Sequence, residues 1–365
     1  MQRPDPGTRI SHGARIRLAA ASPATGFRGR IAGLAGVAAL AALAVLTTVV
    51  PGPGQAPAHA ADLGPAAELK LGYFANLTHA PALISTGQGL LADQLEADGT
   101  SLETQLFNAG PAAIEALNSG AIDAAYLGPS PALNSYLASG GTSLKIVAGA
   151  SSGGASLVVS PDISEPGQLA GTELATPQFG GTQDVALRNY LAEHGLDQQA
   201  TVTPSSNATL TQLFGRGAID GAWVPEPYAS LLVENYGGHR LVDESTLWEN
   251  GKFPTTVLVV SQDYLTEHPR TVEKLVAANS EAIGWLNSAD QQYKAASVQE
   301  ALAAANGSSF DETVIAAALE EVSFDEDPLA DTYQTLIDHA AQVGIGQTGS
   351  VDGLVYTRFL ATQEH

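Results

Sequence analysis

Hydrophobic and polar positions alternate over residues 68–74 (ELKLGYF) and 102–107 (LETQLF), the two-residue period of a half-buried strand. Between them, from about Pro81 to Leu91, apolar residues recur at helical spacing. Residues 121–127 (AIDAAYL) read as a short buried strand. Strand and helix go on alternating, with strands expected at 144–150, 155–160, 172–176, 200–203 and 218–224 and helices at 181–193 and 207–214. This order predicts an α/β body with a largely parallel sheet. The pattern changes after residue 255. Residues 255–260 (TTVLVV) make one strong strand, and nearly all that follows is helical in period: 270–288, 292–305, 310–321, 328–343 and 350–362.

The chain contains an internal echo. Gly120-Ala121-Ile122-Asp123-Ala124-Ala125-Tyr126 matches Gly217-Ala218-Ile219-Asp220-Gly221-Ala222-Trp223 at an offset of 97 residues. A Pro-x-Pro follows each copy (Pro129-Ser130-Pro131 and Pro225-Glu226-Pro227), and helices of equal length, 111–118 and 208–215, precede them. One helix–strand–turn–helix unit therefore occurs twice, as expected of two α/β halves facing each other across a cleft. Ligands of such proteins sit at the carboxyl ends of the strands.

Four strand-to-helix turns stand out as candidate contacts. They are Asn76-Leu77-Thr78-His79, Gly128-Pro129-Ser130, the stretch from Thr176 through Gln178, Thr182 and Gln183, and Trp223-Val224-Pro225-Glu226. Each places free N–H groups at a helix start, where the macrodipole is positive. The hydroxyls and amides there suit an oxyanion held by hydrogen bonds without a full countercharge. A competing reading stays open: Asn76, Thr78, Ser130 and Thr182 are equally suited to cap their helices. Tyr126 and Trp223 end the echoed strands and either close a core or wall the cleft. Glu226 either complements a helix dipole or meets a ligand ammonium. Lys252 lies near the second crossing, within possible reach of the cleft, and Arg188 is expected to face solvent. His79 is the best placed histidine. The others show no metal-ligand spacing, and no nucleophile elbow, phosphate loop or dinucleotide fingerprint is present, so no catalytic centre, metal or cofactor is expected.

Composition narrows the choice. At 365 residues with 44% hydrophobic content the chain is long enough for two domains. The absence of Cys excludes disulfides, a thiolate nucleophile and a lipidated N-terminal Cys. Residues 1–60 carry six Arg and one acid, leaving 10 basic and 37 acidic residues in the body. A body that acidic is a poor partner for nucleic acid. Within the leader, a basic stretch precedes the uncharged run 31–50, a Pro/Gly break and Ala58-His59-Ala60. That is the order of an export signal, and the run is also long enough for an uncleaved anchor; either way residues 61–365 lie outside the cytoplasm.

LGYFANLTHAPAL (71–83), FNAGPAAIEALNSGAIDAAYLGPSPALN (107–134), ATPQFGGTQDVALRNYLAEHGL (175–196) and GAWVPEPYASLLV (221–233) resemble extracellular substrate-binding proteins of ABC transporters, the nitrate/sulfonate/taurine type. The resemblance implies a two-lobed periplasmic-binding-protein fold of the second type, with two crossover strands and a helical C-terminal segment. It implies lobe one at 66–158 plus 257–345, lobe two at 159–256, and a C-terminal helix or tail at 346–365. It carries ligand contact to Asn76, Thr78, His79, Ser130, Gln178, Thr182, Gln183, Trp223 and Glu226. It further implies a monomer that closes over a small anion, a sulfonate or taurine first, and delivers it to a permease with its ATPase. Tyr73, Phe179 and Trp223 would hold an organic tail, and Glu226 or Asp184 an ammonium. Two other functions use the same scaffold: an enzyme of pyrimidine-precursor or menaquinone-pathway type, and a surface solute sensor.

Overall fold

The computed structural model describes residues 62–307 and 309–360; the export-signal and anchor readings of residues 1–60 fall outside that range. Among the described residues no helix is long and apolar enough to cross a membrane.

The described part of the chain starts with β1 (Glu68–Phe74), α1 (Ala80–Gly87), α2 (Leu90–Glu96), β2 (Ser101–Phe107) and α3 (Gly110–Asn118). Then come β3 (Ala124–Leu127), α4 (Pro129–Ala138) and β4 (Leu144–Gly153). The single helix expected to Leu91 is two, because Gly89 turns the chain with φ +80° in the left-handed region. At Gly153-Gly154 the chain crosses into a second unit: β5 (Ala155–Val159), β6 (Glu173–Thr176), α5 (Thr182–Glu193), β7 (Thr201–Pro204) and α6 (Asn207–Gly215). It is completed by β8 (Gly221–Pro225), α7 (Tyr228–Tyr236) and β9 (His239–Asp243). An irregular stretch, 244–253, leads back to β10 (Pro254–Ser261). The remainder is α8 (Gln262–Glu267), α9 (Pro269–Ser288), α10 (Gln291–Asn306), α11 (Glu312–Glu320), β11 (Val322–Ser323) and α12 (Tyr333–Gln342).

The strands form two mixed sheets rather than one largely parallel sheet. Their orders are β11-β4-β10-β3-β1-β2 and β7-β6-β8-β5-β9. In the first, β2, β1 and β3 run parallel and β10 lies antiparallel to β3. In the second, β7, β6 and β8 run parallel and β5 lies antiparallel to β8. The sequence echo is thus one strip of a larger correspondence, three parallel strands plus one antiparallel strand in each lobe. Since β5 pairs in the second sheet, the first crossing falls at Gly153-Gly154 and not at 158/159, and the return strand starts at Pro254.

Side chains of β3 and β10 alternate between two apolar layers. Ala124, Tyr126, Leu258 and Val260 face one, and Ala125, Leu127, Val257 and Val259 the other. Burial on both faces explains why these strands read as unbroken apolar runs. One expected helix is missing: residues 351–360 form turns around a parallel bridge between Ile146 and Val355. Ile146 donates its N–H to Leu354 O, and Tyr356 donates to Ile146 O, so sheet-type pairing displaces the helical pattern.

Candidate functional site

All six turns that follow the parallel strands of the two sheets converge on one cleft of about 440 Å³, its mouth included. After β1 come Asn76, Thr78 and His79, after β2 Asn108 to Gly110, and after β3 Gly128 and Pro131. From the second lobe come Pro177, Gln178 and Gly181 to Gln183 after β6, Asn207 after β7, and Pro225 after β8. Residues at five helix starts, those of α1, α3, α4, α5 and α6, therefore bring positive dipole ends to one volume, and among the described residues no Lys, Arg, Asp or Glu lines it.

The first turn is held from both lobes. Leu77 donates its N–H to Glu226 O at 2.8 Å. Thr256 Oγ1 donates to Thr78 Oγ1 at 3.2 Å, and Thr78 Oγ1 donates to Asn76 Oδ1 at 2.9 Å. With Oδ1 engaged, the Asn76 amide keeps its N–H groups as donors. Phe74 donates its N–H to His79 Nδ1 at 3.2 Å, and the two rings stack at 4.2 Å. Burial pushes the His79 pKa down to about 3. The ring is therefore neutral at pH 7, with its proton on Nε2, and offers a donor without a charge.

The capping alternative does not hold for these turns: Asn76 makes no side-chain cap bond, and the α4 and α5 starts have none either. Elsewhere Ser206, Ser261 and Asp290 do cap their helices. Thr182 Oγ1 and Asn207 Oδ1, both on the cleft wall, are buried with no hydrogen-bond partner, as is Ser130 Oγ beside the wall. Orphaned buried polar atoms are rare and costly, and three of them gather around this one cleft.

Of the nine expected contacts, Asn76, Thr78, His79, Gln178, Thr182 and Gln183 line the cleft, and Ser130 stands one residue from Pro131 on its wall. Trp223 and Glu226 do not. Trp223 is fully buried in the second lobe's core, edge-on to Tyr190 at 5.8 Å, and its Nε1 donates to Glu244 Oε2 at 2.7 Å. Glu226 is buried and committed to its own protein: Oε2 accepts the Ser230 N–H at 3.0 Å, capping α7, and Oε1 accepts from Arg240 at 2.7 Å. Both oxygens are engaged inside the protein, and neither faces the cleft. Asp184 is equally spent on Thr176, the Gly180 N–H and Arg188, so Arg188 also points inward to an ion pair and not to solvent. Lys252 is 62% exposed and pairs with Asp325 at 3.8 Å, away from the cleft. Of the supposed tail contacts, Tyr73 packs in the first lobe's core and Phe179 is exposed. The apolar wall is Phe74, Ala109, Pro131, Pro177 and Pro225 instead.

Sequence reasoning missed the turns after β2 and β7, hence Asn108, Gly110 and Asn207. The signal was the equal-length helices 111–118 and 208–215 of the echo, whose starts are these positions.

Glu244, under Trp223, gives a stability prediction. Burial raises its pKa to about 8, against the pull of the Trp223 and Trp248 hydrogen bonds. Its folded pKa thus exceeds the unfolded value, so stability falls as pH rises from about 4.5 to 8, by roughly 4 kcal/mol in total. Glu244→Gln keeps an acceptor for Trp223 and has no proton to lose. Its melting temperature should exceed the parent's by several degrees at pH 8 and equal it at pH 4; equal melting at both would refute the assignment.

Two α/β lobes joined by two crossings, with a cleft at the carboxyl ends of both sets of parallel strands, define the two-lobed fold of periplasmic binding proteins. The helical C-terminal segment packs onto both lobes, α12 against α4 and α5. The chain belongs to the NMT1-like family, whose profile matches residues 62–300. It is 29% identical over 196 residues to the taurine-binding periplasmic protein of Escherichia coli K12, covering 53% of this chain and 59% of that one. The chain thus spans 58–59% of the length of several curated relatives it matches. Among solved structures it resembles the alkanesulfonate-binding protein SsuA of Xanthomonas axonopodis pv. citri bound to MOPS. The TM-score is 0.66 at 22% identity, covering 80% of this chain and 99% of that one. The periplasmic nitrate-binding protein NrtA of Synechocystis PCC 6803 shares the fold with a TM-score of 0.62 at 18% identity, covering 78% and 83%.

Proposed function

We propose that this protein is the solute-binding component of an ABC importer, acting as a monomer outside the cytoplasm. It captures a small oxyanion, an aliphatic sulfonate or taurine, between its lobes and delivers it to a permease with its ATPase. The observation that carries this reading is the convergence of five helix starts on a cleft that no Lys, Arg, Asp or Glu among the described residues lines, with Thr182 and Asn207 left unpartnered on its wall. The names of the taurine- and alkanesulfonate-binding relatives support the ligand class. The anion is held by N–H dipoles, the neutral His79 and hydroxyls, so it needs no countercharge in a body rich in acids.

The test is calorimetric titration of the purified protein with ethanesulfonate, taurine and nitrate, repeated on Thr182→Val. Sulfonates should bind. The variant should bind about 10-fold or more weakly, since a hydrogen bond to a charged group contributes roughly 1.5–3 kcal/mol. Its ligand-free melting temperature should not fall, because the lost hydroxyl has no partner in the folded protein. Binding of nitrate alone would change the ligand. Absence of binding by all three would reject the oxyanion reading.

A further inference from the structure

A second cavity, of about 640 Å³ with its open mouth included, lies behind Thr182 between α5, the 3-10 turn Glu244–Leu247 and α12. Its chemistry is opposite to that of the anion cleft. Asn189 is 4% exposed, and its Oδ1 is buried without a partner, while its Nδ2 donates to Glu193 Oε1 at 2.9 Å. Glu193 adds a carboxyl group at the exposed end of the cavity, while the Glu244 carboxyl on its wall is already engaged by Trp223 and Trp248. Tyr190 and Trp248 add aromatic rings, and Trp248 lies 5.9 Å from the ring of His339 on α12. Burial lowers the His339 pKa, so that ring brings no positive charge at neutral pH. Among the described residues neither Lys nor Arg lines the cavity. The polar groups are thus chiefly acceptors, set among aromatic faces, and one buried acceptor is unsatisfied. Such a lining selects a donor-rich cation through charge-assisted hydrogen bonds and cation–π contact.

We infer that this cavity is a binding site for a small organic cation, an ammonium or a guanidinium, separate from the anion cleft. The N–H groups of the cation meet Asn189 Oδ1 and the Glu193 carboxyl, and its flat or alkyl part lies against Trp248 and Tyr190. The walls come from the second lobe on one side and the C-terminal helix on the other, so an occupant touches both. The inference does not rest on the oxyanion reading, because the cation is tested alone.

The experiment is titration of the full chain with methylguanidinium and with butylammonium, followed by tryptophan fluorescence and calorimetry, with NaCl at matched ionic strength as the blank. A saturable fluorescence change is expected, since Trp248 lines the cavity. Glu193→Gln, at an exposed position that tolerates the change, should weaken binding about fivefold or more. Asn189→Leu should weaken it further. A response that is linear and matches NaCl would overturn the inference. So would titration of Glu193→Gln indistinguishable from the parent, or displacement of the cation by ethanesulfonate, which would put it in the anion cleft.

Discussion

Arg240→Leu should destabilise the protein by about 3–5 kcal/mol at neutral pH, the cost of stranding a buried charge by removing its partner. The Glu226 side chain is 0% exposed, and Arg240 pairs with it at 2.7 Å. Arg240 also donates to Ser230 Oγ at 2.9 Å and approaches Glu321 at 3.6 Å, reaching from β9 to the end of α11. Burial raises the Glu226 carboxyl above its ordinary range, while Arg240 and the Ser230 amide pull it back. Without Arg240 the carboxyl takes up a proton more readily, so the deficit should shrink as pH falls. Denaturant titration at pH 7.5 and pH 5 reads this directly. Adding Glu226→Gln to Arg240→Leu should recover most of the loss. If the single variant melts within a degree of the parent, the ion pair is not what holds the turn that anchors Leu77.

Gly128→Val should leave each lobe folded and prevent them from closing. Gly128 has an ordinary φ of −67°, so its lack of a side chain answers to space and not to backbone conformation. A Cβ there would overlap Thr182 Oγ1 and lie 3.2 Å from Thr182 Cβ, across the interface between α4 and α5. Overpacking of this kind costs roughly 1–3 kcal/mol. The closed population, and with it the apparent affinity for ethanesulfonate, should drop about 5- to 100-fold. Small-angle scattering should report a larger radius of gyration without any ligand present. Unchanged affinity together with unchanged radius would show that the two helix starts do not meet on closure.

The lobes, the echo and four of six site turns were legible because strand-end turns carry Gly, Pro, Asn and Thr for local backbone reasons. β2 and β7 are edge strands with largely exposed faces, so their turns lacked the apolar flank that marked the others. β9 was missed because four of its five residues are only half buried. Glu226 and Trp223 were misplaced for a different reason: their partners, Arg240 and Glu244, lie 14 and 21 residues away on elements whose pairing local pattern does not show. The 350–362 segment has helical spacing, and the unpaired edge of Ile146 claims it instead.

The placement of β10 decides the order in which the molecule assembles. The second sheet uses one continuous stretch, 155–243, and can complete itself as soon as that stretch is available. The first sheet has an inner strand supplied late, β10 slotting between β3 and β4 only after the whole second sheet has been made, and β11 adding to the β4 edge later still. Until then β3 and β4 expose open edges and a broad apolar face. Contacts so distant along the chain close slowly. Nascent chains should therefore gain protease resistance in the inserted lobe first, and the N-terminal strands, though made earliest, should be the last to become protected.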